Sequence, residues 1–382
     1  MRSRLLAAAL ACGGCGAPPA GVPDAVAPTN VSGVTRLTWR MNATLGSVDH
    51  LDSHVYHSLR DPAAAPGAAR SSDTLVVHHH GHAVRCTPTP PDNTCEDPRS
   101  FYDLYNLSDW VHGVLGSDVA FMYMPLYGPN QQQGLPHDHS WFAPFQERGE
   151  ARVARFFLEP VALTINYAHR LGYKRVVMMG KSGGGWTTTL YAAIDARVAA
   201  SFPIAGSIPL EFHHISWDFE QKPRAEDRGW YLTQLPRGDY ERLYALAALE
   251  PGRFSLQVLH QDDPCCFYGR DRHLRIAGYD RRVAAELEAA GGGRFSTAIT
   301  DWNVHAVCQM DRAVIAEALS RAASAAPNLP SLEGLPCDIL HEDEGSHCPY
   351  APPGAATGAS EGRLHAHGGR GGAPRRAVAA AS

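Results

Sequence analysis

The 382-residue chain lacks several features that mark common non-enzymatic classes. It contains no apolar run long enough for a membrane-spanning helix, so we expect no integral membrane span. Its 34 basic residues are dispersed and its formal net charge is −5, which excludes the concentrated basic surface of a nucleic-acid-binding protein. Beyond residue 15 it has no C-x-x-C pair of the kind found in zinc sites, and it has no internal repeat. With 44% apolar and 19% charged residues, the composition is that of a globular protein.

The N-terminus has the layout of an export signal. Arg2 and Arg4 precede the short apolar run 5–11, and small residues and two prolines follow it. We therefore predict a signal peptide or lipoprotein signal over residues 1–15, and an extracytoplasmic location. Cys12 follows Ala-Leu-Ala, a loose match to a bacterial lipoprotein cleavage site, so a bacterial protein would be secreted or lipid-anchored through Cys12. The alternative is an Ala-rich start without a targeting role.

The cysteines of the remaining chain support export. Two pairs each enclose a short loop, which is typical of disulfides formed in an oxidising compartment: Cys86 with Cys95, and Cys337 with Cys348. In a second group, one of two adjacent cysteines can bridge to a third, and the choice between them stays open: Cys265, Cys266 and Cys308. A zinc site is the competing interpretation, which the spacing does not favour.

Strand-like and helix-like segments alternate along most of the chain. Runs of β-branched and apolar residues are separated by segments with helical periodicity. The strand-like runs lie at 35–40, 52–57, 74–80, 118–124, 175–179, 199–206, 254–260 and 295–300, and the helical segments at 102–115, 150–171, 186–194, 272–290 and 310–325. This alternation predicts an α/β fold, with a mostly parallel sheet of about eight strands and helices on both faces. In such sheets chemistry gathers at the carboxyl ends of the strands.

Shifts in composition predict the domain boundaries. Residues 16–33 are rich in Pro, Ala and Gly and are predicted as a linker, which places the main domain at 34–330. Residues 331–382 are again rich in small residues and are predicted as a mostly disordered tail. Aromatic residues are frequent over 210–250, where we expect a cap-like insertion over the pocket. The alternative there is an ordinary helical segment that fills the core. The loop 137–139, His-Asp-His, is predicted to lie at the surface.

The most informative stretch is 180–184, Gly-Lys-Ser-Gly-Gly, between the strand-like run 175–179 and a helical segment. A serine hydroxyl becomes a good nucleophile only when the fold exposes its oxygen, supplies a base and stabilises the oxyanion. A sharp strand-to-helix turn exposes the oxygen, and its cramped backbone admits only small residues two positions before and after the serine. We therefore predict Ser182 as a catalytic nucleophile. The alternative is a Gly/Ser turn at the surface.

Two further strand ends carry the residue types that would activate a serine. Asp262 and Asp263 follow the run 254–260, and His305 follows the run 295–300. The chain order Ser, acid, His is one of the known arrangements of a catalytic triad. In a triad the histidine accepts the serine proton, while the carboxylate fixes the imidazole tautomer and stabilises the imidazolium.

With these segments the chain resembles the α/β-hydrolases over roughly residues 35–325. Three motifs carry the resemblance: the elbow 180–184, the acid loop 261–264 and the histidine segment 301–305. The resemblance implies a serine hydrolase that cleaves a small-molecule or polymer-linked carboxylic ester through an acyl-enzyme and needs no cofactor. It favours Asp263 as the acid, because the acid of similar hydrolases often precedes a proline, and it leaves Asp262 as the alternative.

The resemblance also implies an oxyanion hole. One donor would be the backbone N–H of Gly183, at the start of the elbow helix. The other would come from the loop after the run 74–80, where His-Gly-His resembles the His-Gly element of related esterases; the backbone N–H of His82 or of Gly81 is the candidate. The alternatives are a serine peptidase of the same fold, or a catalytically inactive binding protein. About 35 residues before the first strand leave no room for the large extra domain usual in such peptidases.

Four histidines near the end of the first buried strand raise the question of a metal. Alternation along a strand sends His78, His80 and His82 toward one face and His79 toward the other. Three histidines on one face can bind zinc, but no acidic residue follows before Asp92. We therefore predict packing and oxyanion-loop roles for these histidines, and no metal site. The sequence carries no signal for an oligomeric state.

Overall fold

One sheet organises the chain. The computed structural model describes residues 22–29, 33–45, 48–59, 72–82, 106–132, 134–135, 139–142, 153–209, 212, 239–261, 263, 272–300, 305, 307 and 309–324. Within these residues the strands are β1 Ala25–Pro28, β2 Val34–Leu45, β3 Val48–Ser58, β4 Thr74–His79, β5 Asp118–Met122, β6 Arg175–Lys181, β7 Val198–Ile204, β8 Phe254–His260 and β9 Arg294–Thr300. The α-helices are α1 Val153–Arg170, α2 Gly183–Ile194, α3 Asp239–Ala247, α4 Arg272–Ala289 and α5 Gln309–Ser324. Shorter helical turns lie at Val111–Leu115, Gly128–Asn130 and His139–Phe142.

The strand order is β1-β2-β3-β5-β4-β6-β7-β8-β9. The pairs β1–β2, β2–β3 and β3–β5 are antiparallel. Every pair from β5 across to β9 is parallel. This order, with β4 and β5 exchanged relative to the chain, is that of the α/β-hydrolase fold, and the predicted fold class is confirmed. The parallel strands β6 to β9 also bring their carboxyl ends to one edge of the sheet.

The outermost strand corrects the predicted linker. β1 lies inside 16–33, and it makes nine strands in the described sheet instead of about eight. It pairs with β2 from Ala25 opposite Thr38 to Pro28 opposite Thr35. Proline has no N–H to give to a ladder, so it is tolerated at the sheet edge that β1 forms. The small residues of β1 looked like linker because so short a strand is stable only when a longer neighbour pairs with it.

Apolar side chains from the sheet enter two separate cores, one on each face. Alternate residues of β4 divide between them: Leu75 and Val77 enter one core, and Val76 enters the other. The first core receives side chains from α1 to α4, and the second from α5 and the helical residues 106–115. The near-continuous apolar runs of the parallel strands follow from burial on both faces.

Helix α3 corrects the C-terminal part of the predicted cap. Trp186 of α2 donates from its indole Nε1 to the hydroxyl of Tyr240 at 3.0 Å. Tyr244 stacks on Phe295 of β9 with ring centroids 5.5 Å apart. α3 is therefore a core helix between β7 and β8, as the alternative interpretation had it. Residues 213–238 of the predicted cap lie outside the described residues.

Several predictions concern residues beyond the described ranges. The export signal 1–15, the tail 331–382 and all nine cysteines lie there, so the disulfide and targeting predictions stay predictions. Among the helices that the structure describes, none has the length and apolar character needed to cross a membrane.

Candidate active site

Ser182 occupies the turn between β6 and α2 in a backbone conformation that is rare for a residue with a side chain. Its φ is 55° and its ψ is −129°. Its N–H donates to Ile204 O at 2.9 Å, and its own carbonyl accepts from Trp186 N at 3.0 Å. Such a conformation costs on the order of 1–3 kcal/mol and is retained where the surrounding structure enforces it. The elbow predicted from the sequence is therefore present, with its serine in a strained conformation.

The glycines of the elbow are required by close backbone contacts. A Cβ on Gly184 would lie 1.9 Å from the carbonyl oxygen of His79, and one on Gly180 would lie 2.3 Å from Gly184 O. Both distances are far below van der Waals contact, and both partners are backbone atoms that cannot rotate away. The prediction that the backbone admits only small residues at these two positions is confirmed, and the contacts leave no room even for a Cβ.

His305 and Asp263 are hydrogen-bonded to each other. The distance from His305 Nδ1 to Asp263 Oδ2 is 2.8 Å, and the side chain of Asp263 is fully buried. A carboxylate only accepts, so the proton of a neutral His305 ring lies on Nδ1 and leaves Nε2 with its lone pair. This is the tautomer that a general base for serine needs. Asp262, the alternative acid, lies outside the described residues.

A second histidine–aspartate pair lies nearby but is shielded from solvent. His260 Nε2 lies 3.2 Å from Asp311 Oδ2, and both side chains are 0% exposed. The side chain of His305 is 9% exposed. A general base has to reach the substrate side of the serine, so exposure favours His305 over His260 as the base.

The serine and the histidine–aspartate pair share one edge of the sheet. Ser182 directly follows β6, Asp263 follows β8, and His305 follows β9. Among the described residues no hydrogen bond joins Ser182 Oγ to the ring of His305. Hydrogen bonds between catalytic groups are often long without substrate and shorten when it binds. The structure pairs Asp263 with His305 and places Ser182 at the same edge of the sheet.

The predicted oxyanion loop packs directly against the elbow. A Cβ on Gly81 would lie 2.7 Å from Ser182 Cβ and 3.3 Å from Ser182 Oγ. On the other side, a Cβ on Gly183 would lie 3.3 Å from His82 Cε1. Gly183 is the first residue of α2, whose first N–H groups have no partner within the helix. The predicted donor residues Gly183, Gly81 and His82 therefore lie at the elbow; which N–H groups donate stays a prediction.

Three residues that the sequence did not predict lie beside the elbow or beside His82: Met124, Tyr127 and His139. The methyl group of Met124 would lie 2.7 Å from a Cβ on Gly183. The ring of His82 contacts Tyr127 and His139, with centroids 4.5 and 5.1 Å away. Met124 and Tyr127 follow the carboxyl end of β5, so the rule about strand ends could have found them.

His139 corrects the prediction of a surface loop at 137–139. Its side chain is fully buried, and its Nε2 is 3.1 Å from Pro125 O. Its ring also packs edge-on against Phe157 of α1, with centroids 5.0 Å apart. The polar sequence around His139 predicts exposure. An imidazole can nevertheless be buried when a carbonyl oxygen accepts its N–H.

The histidines at the end of β4 are held by packing and by backbone contacts. His78 stacks on Phe121 with centroids 4.8 Å apart, and its ring is 6.3 Å from that of His80. His79 Nδ1 is 2.9 Å from His80 O. Within the described residues no group of three or more His, Cys, Asp or Glu is placed to hold a metal ion.

Because His79 is buried, we expect the unfolding free energy to decrease at acidic pH. Burial lowers the pKa of His79 from 6.5 to about 4, so the unfolded chain binds its proton first as the pH falls. The stabilising effect is complete above the unfolded pKa and is lost as the pH falls toward the folded one. Linkage predicts a loss of about 2 kcal/mol of unfolding free energy between roughly pH 8 and roughly pH 5.

This contribution is measured by urea denaturation of the wild type and of His79→Asn at both pH values. Asparagine keeps a donor near the Nδ1 position but does not titrate, so its loss on acidification should be smaller by about 2 kcal/mol. Equal losses in the two proteins would show that His79 is not responsible.

Comparison with known proteins finds only distant structural similarity. No protein-family model and no curated protein matches the chain. Among solved structures, Est1E from Butyrivibrio proteoclasticus is 12% identical, with 75% of this chain and 99% of that chain covered and a TM-score of 0.43. A carbohydrate esterase family 15 glucuronoyl esterase from Caldicellulosiruptor kristjansonii is 13% identical, with 81% of each chain covered and a TM-score of 0.47. An acetyl xylan esterase from Paenibacillus sp. R4 is 12% identical, with 85% and 92% covered and a TM-score of 0.44.

Proposed function

We propose that this protein is an exported serine hydrolase that cleaves carboxylic esters. The observation that carries the proposal is the 2.8 Å hydrogen bond between His305 and the buried Asp263. It lies at the sheet edge where Ser182 is held in a strained turn. These observations support Ser182 as nucleophile, His305 as base and Asp263 as the orienting acid, at the carboxyl ends of β6, β9 and β8.

The proposed reaction proceeds in two acyl transfers. Ser182 Oγ attacks the ester carbonyl while His305 Nε2 takes the hydroxyl proton, and the buried Asp263 stabilises the imidazolium that forms. The tetrahedral oxyanion accepts hydrogen bonds from Gly183 N–H and from the 81–82 loop. His305 returns the proton to the departing alcohol, which leaves an acyl-enzyme. Water, deprotonated by His305, then releases the acid and regenerates Ser182.

The proposal is tested with a fluorophosphonate probe, which phosphonylates an activated serine. We expect one label per native chain, mapped by mass spectrometry to the peptide that contains Ser182, and no label on Ser182→Ala. Heat-denatured wild type is the control for chemical reactivity and should stay unlabelled, because only the fold activates the hydroxyl. An unlabelled native protein, or a label that persists in Ser182→Ala, would contradict the enzymatic proposal and favour a binding protein of the same fold.

Two additions to the same experiment test the finer parts of the proposal. In cells that export the chain, the labelled protein should be found outside the cytoplasm and should lack its predicted signal peptide. A panel of acetyl, butyryl and longer acyl esters, assayed beside peptide amides, separates an esterase from a peptidase. We expect turnover of the esters, since an amide is the more stable bond and its nitrogen leaves only when protonated.

A further inference from the structure

The second histidine–aspartate pair joins the two parts of the sheet edge from which the candidate acid and base extend. His260 is the last residue of β8, and Asp311 lies in the first turn of α5. His260 Nε2 is 3.3 Å from Asp311 Oδ1 and 3.2 Å from Oδ2, so the imidazole N–H points between both carboxylate oxygens. Both side chains are fully buried.

The pair brackets the two segments that carry the proposed acid and base. Asp263 follows His260 by three residues, and its N–H donates to His260 O at 3.3 Å. His305 lies between the end of β9 and Asp311, six residues before it. The ends of β8 and β9 are themselves joined, since Gln261 N–H donates to Thr300 O at 2.7 Å. The His260–Asp311 contact therefore closes a ring of contacts around Asp263 and His305.

The His260–Asp311 contact restricts the movement of α5 relative to β8. Breaking a hydrogen bond to a fully buried carboxylate is costly, so a movement of the start of α5 along β8 that separates Asp311 from His260 is disfavoured. The Asp263–His305 bond depends on the same relative position, because one partner follows β8 and the other precedes α5. A shift of about 1 Å in a catalytic group lowers turnover by about 10²-fold.

We propose that His260 and Asp311 are positioning residues that hold Asp263 and His305 in register. This inference rests on the proposed function. Both side chains are fully buried, so we expect neither to touch the substrate. Their effect reaches the reaction only through the orientation of the His305 ring.

The test compares two variants of Asp311 with a matched variant of another buried aspartate. Asp311→Ala removes the acceptor and should lower kcat by about 10²-fold with KM within about twofold, because the substrate contacts are unchanged. Asp311→Asn keeps one acceptor for His260 and should restore part of the loss, to about 10-fold. The control is Asp118→Asn, where a buried carboxylate at the first residue of β5 accepts from Tyr173. It lies at the amino end of its strand and should leave kcat unchanged.

A second measurement separates positioning from a general loss of stability. The proton between His305 Nδ1 and Asp263 should give a low-field NMR resonance, assigned by its disappearance in His305→Gln. This resonance should shift or broaden in Asp311→Asn and stay in place in Asp118→Asn. If Asp311→Ala does not fold, Asp311→Asn decides alone, by kcat and by the resonance.

Two results would overturn the inference: a folded Asp311→Asn with wild-type kcat and an unmoved resonance, or an equal loss of kcat in Asp118→Asn. Failure of the proposed function gives a different pattern, in which the native wild type is neither labelled at Ser182 nor active on esters. The resonance then still decides whether Asp311 positions His305, because it needs no turnover.

Discussion

Asp263→Asn is expected to lower kcat for ester hydrolysis by about 10⁴-fold, the size of effect seen when the triad aspartate of a serine protease is replaced in the same way. The Asp263 carboxylate accepts the Nδ1 proton of His305 at 2.8 Å. An asparagine amide can donate to Nδ1 instead, which moves the ring proton to Nε2. The imidazole then has no lone pair facing the serine and cannot act as its base. Because asparagine has the same shape, the loss would reflect the tautomer and not a collapsed site.

The matched control is Asp262→Asn, one residue earlier. Asp262 was the alternative acid in the sequence, and the hydrogen bond to His305 belongs to Asp263. We expect Asp262→Asn to change kcat by less than about threefold, since it leaves the Nδ1 acceptor in place. Both variants are assayed on the same ester, and circular dichroism verifies that both are folded. If the large loss occurs in Asp262→Asn instead, the acid has been misassigned.

Gly184→Ala is expected to destabilise the protein by more than about 4 kcal/mol, which is exceptional for a single methyl group. The new Cβ would lie 1.9 Å from His79 O, 2.6 Å from His79 C and 2.8 Å from His80 O. All three are backbone atoms at the end of β4, so no side chain can rotate to make room. Helix α2 would have to move away from the sheet, and Ser182 would move with it.

The effect is measured as the loss of unfolding free energy in urea, with fluorophosphonate labelling as a second readout. The control is Gly113→Ala, in the helical turn Val111–Leu115, where a Cβ would meet nothing within 4 Å. Alanine there should be neutral or stabilising by up to about 1 kcal/mol, because it reduces the entropy of the unfolded chain. A Gly184→Ala protein as stable as Gly113→Ala would contradict the tight elbow described above.

The sequence predicted the fold and the site where chemistry depends on neighbours along the chain. The run 175–179 followed by a glycine-rich turn predicted the elbow around Ser182. The same local rule, residues directly after strands, predicted His305 and the two aspartates after β8. The acid loop shows the limit of such local rules. An error of one residue in the predicted end of β8 exchanges Asp262 and Asp263. Only the hydrogen bond between Asp263 and His305, 42 residues apart, distinguishes them.

The predictions that were wrong depended on partners distant in the chain. The composition of residues 25–28 predicts a linker, but a short strand with a proline is defined by the β2 edge that pairs with it. The aromatic residues of α3 suggested a cap, yet Tyr240 and Tyr244 pack on α2 and β9. His139 looked like a surface residue until Pro125 O and Phe157 enclosed it. Composition cannot distinguish an aromatic ring that covers a pocket from one that fills a core.

The sequence by itself determined the α/β order, the elbow and the candidate nucleophile within it, because apolar periodicity and glycine sterics act over a few residues. Only the tertiary structure decided that Asp263 is bonded to His305, and that His260 is buried against Asp311. These pairings join residues 42 and 51 positions apart. They depend on the parallel β8 and β9 ending side by side and on α5 packing against the sheet. Hydrogen bonds of this kind require atoms within about 3 Å, and only the folded chain fixes such distances.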